Sequence, residues 1–139
     1  MLRARKNTQR FREAGFTLLE LTMVMTIILI LASIALPSYR MAIQRAKEAV
    51  LRDDLYTMRK VIDEYTVDKQ QPATSLQDLV DAGYLRGGIP VDPVTGSNDS
   101  WKTDTEDVPT GSNTTTNGVV DVHSGSEGTA LDGTAYNTW

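Results

Sequence analysis

Apolar and polar positions divide this chain into a continuous run, a periodic stretch and an irregular remainder. From Phe16 to Leu36 the residues are apolar or small with a single ionisable side chain, Glu20. A helix of that length spans about 31 Å, the thickness of a bilayer's hydrocarbon core. Beyond Pro37 the pattern becomes periodic. Leu51, Leu55, Met58, Ile62 and Tyr65 recur at spacings of four and three, while Arg52, Asp53, Arg59, Lys60, Asp63 and Glu64 fill the other faces. The two stretches predict one helix of about fifty residues, from Phe16 to about Val67. Its apolar stripe is expected to pack on the chain's own sheet, because the repeat is too short for a coiled-coil seam. Pro37 withholds a backbone donor, which predicts a kink. Thr22, Thr26 and Ser33 are expected to bond back to the preceding turn or pack helices rather than to do chemistry.

The remainder reads as a small head. Residues 68–73 form a loop containing Pro72. Thr74-Ser75-Leu76-Gln77-Asp78 then gives a helix start close to a capping box, with Leu76, Leu79, Val80 and Tyr84 inward and Gly83 terminating it. Ile89-Pro90-Val91-Asp92-Pro93 is too rich in proline for a helix interior. Trp101-Lys102-Thr103 reads as a short strand and residues 106–117, rich in Thr, Asn, Gly and Ser, as a loop. The clearest strand is 119–124, with Val120 and Val122 on one face and Asp121 and His123 on the other. The fold class is α+β: a long N-terminal helix, membrane-embedded in its first half, packed on a small C-terminal antiparallel sheet. The segments are 1–15, a basic leader; 16–37, the membrane-length helix; 38–67, its amphipathic continuation; and 68–139, the head.

Charge sharpens that division. The leader holds Arg3, Arg5, Lys6, Arg10 and Arg12 against Glu13, so its end is expected to stay cytoplasmic. Without the leader the chain keeps nine basic and seventeen acidic side chains, a balance that repels nucleic acid. An ordinary secretory signal would also begin with a basic leader. However, the apolar run is longer than such a core, and Ala35-Leu36-Pro37-Ser38 is a weak cleavage site. A plain membrane anchor leaves Glu20 unexplained, since a carboxylate inside a membrane is unfavourable by roughly 2.5–3.5 kcal/mol near the centre and is usually paired.

Gly15-Phe16-Thr17-Leu18-Leu19-Glu20 resembles the processing signal of the type IV pilin and pseudopilin superfamily. The resemblance implies that a prepilin peptidase cuts between Gly15 and Phe16 and methylates the new N-terminus at Phe16. It also implies that Glu20 pairs with the N-terminal amine of an adjacent subunit, with Pro37 shaping the assembly helix. A second stretch, Pro72 to Val80 with Gly83-Tyr84-Leu85 and Ile89 to Pro93, is similar to the major (G-type) pseudopilin of type II secretion. So is the ending from Asp121 to Gly128 with Trp139. By this resemblance the chain is a homopolymeric subunit of a periplasmic pseudopilus driving protein secretion. It would be held in the inner membrane by a single pass, with its head in the periplasm. Its partners would be copies of itself, the minor pseudopilins and an inner-membrane assembly platform. The alternative within the superfamily is a pilin of a surface filament for adhesion, motility or DNA uptake.

The same resemblance raises calcium. Major pseudopilins bind it in the C-terminal loop, and Asp121, Glu127 and Asp132 are the candidate ligands here, a solvated acidic loop being the alternative. The acidic residue that the family places shortly before the final tryptophan is missing, with Ala135-Tyr136-Asn137-Thr138 in its place. Calcium prefers six to eight hard oxygens, so one carboxylate fewer weakens the case. The absence of cysteine excludes disulfides, thiol catalysis and cysteine-ligated zinc. His123, the only histidine, has no nucleophile ordered around it, and the sequence points to a structural subunit and not to an enzyme.

Overall fold

The computed structural model describes residues 16–110 and 114–139. Helix α1 covers Leu18–Lys69, 52 residues, and continues through Pro37. Its first turn is opened by Thr17, whose hydroxyl accepts the Glu20 N–H at 3.2 Å. It ends where Gln70 adopts a left-handed φ of 56° and donates its side-chain amide to the Val67 carbonyl. Such a residue usually closes a helix as glycine; here a side-chain bond offsets the strain.

Two compact units divide the chain, Met1–Tyr39 and Arg40–Trp139, and α1 contributes to both. In the first unit the described residues are helix and little else. Their side-chain hydroxyls behave as the sequence predicts: Thr22 donates to Leu19, Thr26 to Thr22 and Ser33 to Ile30, each to a backbone carbonyl.

The second unit holds the core. Leu51, Leu55, Met58 and Ile62 from α1 are almost completely buried, with Tyr65 half-buried beside them. Helix α2, Leu76–Asp81, adds Leu76 and Leu79. Its start is the anticipated capping box: Asp78 accepts the backbone N–H groups of Thr74 and Ser75, at 2.8 and 3.1 Å. These bonds hold the Asp78 carboxyl below the ordinary range, the Thr74 hydroxyl contributing most. Gly83 closes the turn at φ 81°, a conformation that costs other residues a steric clash. Val80 and Tyr84 are half-buried against the core, and Tyr84 meets Tyr65 edge to face at 5.4 Å.

Strands β1, Lys102–Thr110, and β2, Thr114–His123, form one antiparallel pair. This corrects two expectations. Residues 106–110 and 114–117 are strand, although their sequence reads as a loop. They were concealed because β1 is exposed over most of its length and shows no apolar alternation. The inward pair is also Val119 and Val122, not Val120 and Val122. Thr105 pairs with Val119 and Asp104 with Asp121, so Val120 is one residue too many, a β-bulge that breaks the period of two. The hairpin is fastened to the α1–α2 connection by the Val119 N–H donating to the Ala73 carbonyl at 2.8 Å.

Candidate functional site

In the first unit the apolar side chains have nothing of their own to cover them. Phe16 is 75% exposed and Leu18 82%, and the membrane-length window of α1 has none of its residues buried. Exposed apolar surface on this scale marks contact with lipid or another chain. Glu20 stands one helical turn from Phe16 on this surface. Its carboxylate has no ion-pair or hydrogen-bond partner among the described residues, whereas its backbone N–H is capped by Thr17. An amine brought by another chain is the kind of partner such a group needs. Pro37 lies 17 positions further along the same helix; lacking an N–H, it cannot donate to the Ser33 carbonyl. Gly15 lies outside the described residues.

The second unit is built the opposite way, and its most demanding polar groups were not legible as functional in the sequence. Glu48 is only 8% exposed and takes three donors: the Tyr136 hydroxyl at 2.9 Å, the Leu131 N–H at 2.9 Å and the Gln44 amide at 3.2 Å. One helical period away, Arg52 reaches Asp132 at 3.2 Å and lies over the Trp139 ring at 4.2 Å. Two turns beyond, Arg59 bonds Asp121 at 2.6 Å and the main-chain oxygens of Val122 and Trp139, at 3.1 and 2.8 Å. Gln44, Glu48, Arg52 and Arg59 therefore fasten the stretch from Asp121 to Trp139 along α1. The signal for Glu48 was its position: it continues the stripe of Leu51 and Leu55 by one step, where an acid has to be buried and satisfied.

Asp92 is the second such group. It is fully buried and accepts the Ser124 hydroxyl at 2.6 Å, the Val94 N–H at 2.8 Å and the Thr95 N–H at 3.3 Å. The proline-flanked loop is thereby tied to the end of β2. Nearby, a Cβ at Gly125 would run into the Ser100 carbonyl, so the backbone approach at that point admits only glycine.

The three candidate calcium ligands are not brought together. Asp121 is engaged by Arg59 and the Val122 N–H; burial pushes its carboxyl up, but those bonds and the guanidinium charge outweigh it and hold it below the ordinary range. Asp132 accepts the Thr134 hydroxyl and N–H, at 2.6 and 3.0 Å, besides Arg52. Glu127 is exposed. Among the described residues no three His, Cys, Asp or Glu side chains are grouped as a metal ion requires. Guanidinium, hydroxyl and backbone N–H groups already engage the carboxylates of Asp121 and Asp132.

His123 is likewise held in place. Nδ1 lies 2.6 Å from the Trp139 main-chain oxygen and Nε2 3.2 Å from Asp104. An open groove between α1 and the hairpin is lined by Ile62 and four valines, with Asp63 its single titratable group, which leaves acid–base chemistry without a second member.

Residues 10–36 match a family model described as the prokaryotic N-terminal methylation motif. The match covers the end of the leader and the apolar run through Leu36, and none of the head. No curated protein and no solved structure matches the chain. The chain thus carries, over a helix long and apolar enough to cross a membrane, the N-terminal methylation motif that supports a type IV pilin-like, processed subunit.

Proposed function

We propose that this chain is the structural subunit of a pseudopilus, a periplasmic filament that drives type II protein secretion. The single observation that carries the reading is the methylation motif laid over an apolar helical stretch with no buried residue, whose one charge, Glu20, is unpartnered among the described residues. Prepilin peptidase cuts after Gly15 and methylates Phe16. The subunit then waits in the inner membrane, head in the periplasm, with lipid covering the helix.

Polymerisation exchanges lipid for neighbouring helices. Burial of a carboxylate in such a bundle is tolerated only with a countercharge, and the new amine at Phe16 of an adjacent copy supplies it. Pairing thus sets the axial register, because a misaligned subunit leaves both charges bare. Minor pseudopilins and an inner-membrane assembly platform are the further partners of this reading. The head's resemblance to the major pseudopilin, from Pro72 to Pro93, favours the secretion filament over a surface pilus.

The test compares the exoproteome of a deletion strain with its parent at native expression. Several secreted proteins trapped in the periplasm are expected. An unchanged exoproteome with loss of surface filaments in electron micrographs would transfer the subunit to a pilus.

A further inference from the structure

We infer that copies of this chain join head to tail by docking the acidic β1–β2 hairpin of one onto a basic collar on α1 of the next. The inference rests on the filament reading above and names the surfaces that would make it.

The collar is Arg40, Arg45 and Lys47, all exposed. Arg40 and Lys47 are two helical turns apart on one side of α1, and Arg45 lies between them in height. The salt bridges of the described residues involve Arg52, Arg59, Lys60 and His123, and none of these three. The one acid in this part of the helix, Glu48, is buried and occupied by Tyr136, Leu131 and Gln44. The collar therefore has three cations and no local countercharge among the described residues.

The hairpin has the reverse problem. Asp104, Glu106 and Asp107 project from an exposed strand whose only basic residue is Lys102. Asp104 meets His123, Asp107 meets only the Asn117 amide at 3.3 Å, and Glu106 has no side-chain partner among the described residues. The sheet has two strands, so the outer edge of β1 carries no neighbour among the described residues.

These surfaces do not meet within one subunit. The hairpin is anchored on α1 at Arg59, through Asp121 and Val122. Arg59 follows Arg45 by 14 positions, about 21 Å along the helix. A second copy supplies both missing partners at once. An anionic lipid surface suits the collar but leaves the hairpin uncompensated, so the observations favour the second copy. Two unlike patches offset along one axis make a heterologous contact that does not close on itself, and repetition extends a fibre. Because the charges are exposed, they set register and guide encounter, and the contact weakens as salt rises.

The chain has no cysteine, which makes cross-linking clean. Lys47→Cys and Glu106→Cys are placed together in the full-length chain and oxidised in cells that assemble the filament. A ladder of dimers, trimers and higher species on non-reducing gels is expected, with the two single variants co-expressed stopping at dimers. Normal filaments without the ladder would overturn the inference. In parallel, Arg45→Glu with Lys47→Glu should lower sheared filament yield by about fivefold or more, and adding Glu106→Lys with Asp107→Lys should restore it. Failure of the exchange to restore assembly counts against the contact. So does an Arg45→Glu, Lys47→Glu chain that assembles normally but loses binding to phosphatidylglycerol vesicles, which would assign the collar to lipid. A wild-type chain that is cut and methylated but forms no filament sinks the filament reading itself, and is told apart because wild-type assembly is scored first.

Discussion

The two compact units handle polar groups in opposite ways. Over Phe16–Leu36 the helix leaves its apolar side chains uncovered and its one carboxylate, Glu20, unanswered among the described residues. From Arg40 onward the chain buries Glu48 and Asp92 and gives each three donors, and no buried side-chain polar atom among the described residues lacks a partner. A carboxylate surrounded by its own donors is finished when the chain folds. One left on an apolar surface is finished only when something else arrives. The contrast sets residues that serve folding beside those that, on the proposed filament reading, serve assembly.

The comparison can be broken at its strongest point with Glu20→Ala. Filament assembly is expected to be lost, while the head's thermal unfolding in detergent, followed by tryptophan fluorescence, stays where it was. A shifted melting temperature would mean Glu20 also serves the fold. Gly15→Ala should leave the precursor uncut, seen as a larger band by immunoblot.

Substitutions in the head should do the reverse. Asp92→Ala strands the buried Ser124 hydroxyl and two half-buried backbone N–H groups and should destabilise the head by about 2 kcal/mol, measured by denaturant unfolding. Glu48→Ala should cost about 2 kcal/mol by the same reasoning, since Gln44 retains access to Tyr136.

Acid should act on the head next. Asp78, Asp121 and Asp132 are held below the ordinary carboxylate range, so their contribution is complete above about pH 4 and is lost as pH falls through their folded values. Asp54, pushed up by burial and then by Asp53 and Asp92, acts oppositely at the upper edge of that window. A melting temperature that declines only below about pH 4 is expected, and it should decline less in Asp78→Asn.

The smallest effect is at the surface. Arg52→Ala removes an exposed ion pair and a cation–π contact, and should cost below about 1 kcal/mol in the same unfolding assay.

The parts of this fold that announce themselves in sequence are those in which one side chain's type suffices. The stripe Leu51, Leu55, Met58 and Ile62 identifies the buried face of α1, Ser75 with Asp78 marks the start of α2, and Gly83 marks its end. Strand β1 was hidden because Lys-Thr-Asp-Thr-Glu-Asp has no inward face to display. Its threonines, β-branched and dense from Thr103 to Thr116, were the available signal. The Val119–Val122 pair was hidden by a bulge, a property of pairing and not of either strand alone. The acidic loop looked like a cation site because sequence shows where carboxylates are but not that Arg52 and Arg59 reach them.

The fastening of the C-terminal stretch also bears on how the head withstands traction. A subunit drawn from a membrane by its helix is loaded along α1. Gln44 and Arg59, the outermost attachment points, are 15 positions apart, about 22 Å. Bonds spread along the direction of pull share a shear load and yield together. Bonds stacked across it would peel one after another. The head is thus riveted to its own shaft in the orientation that best bears a load along α1.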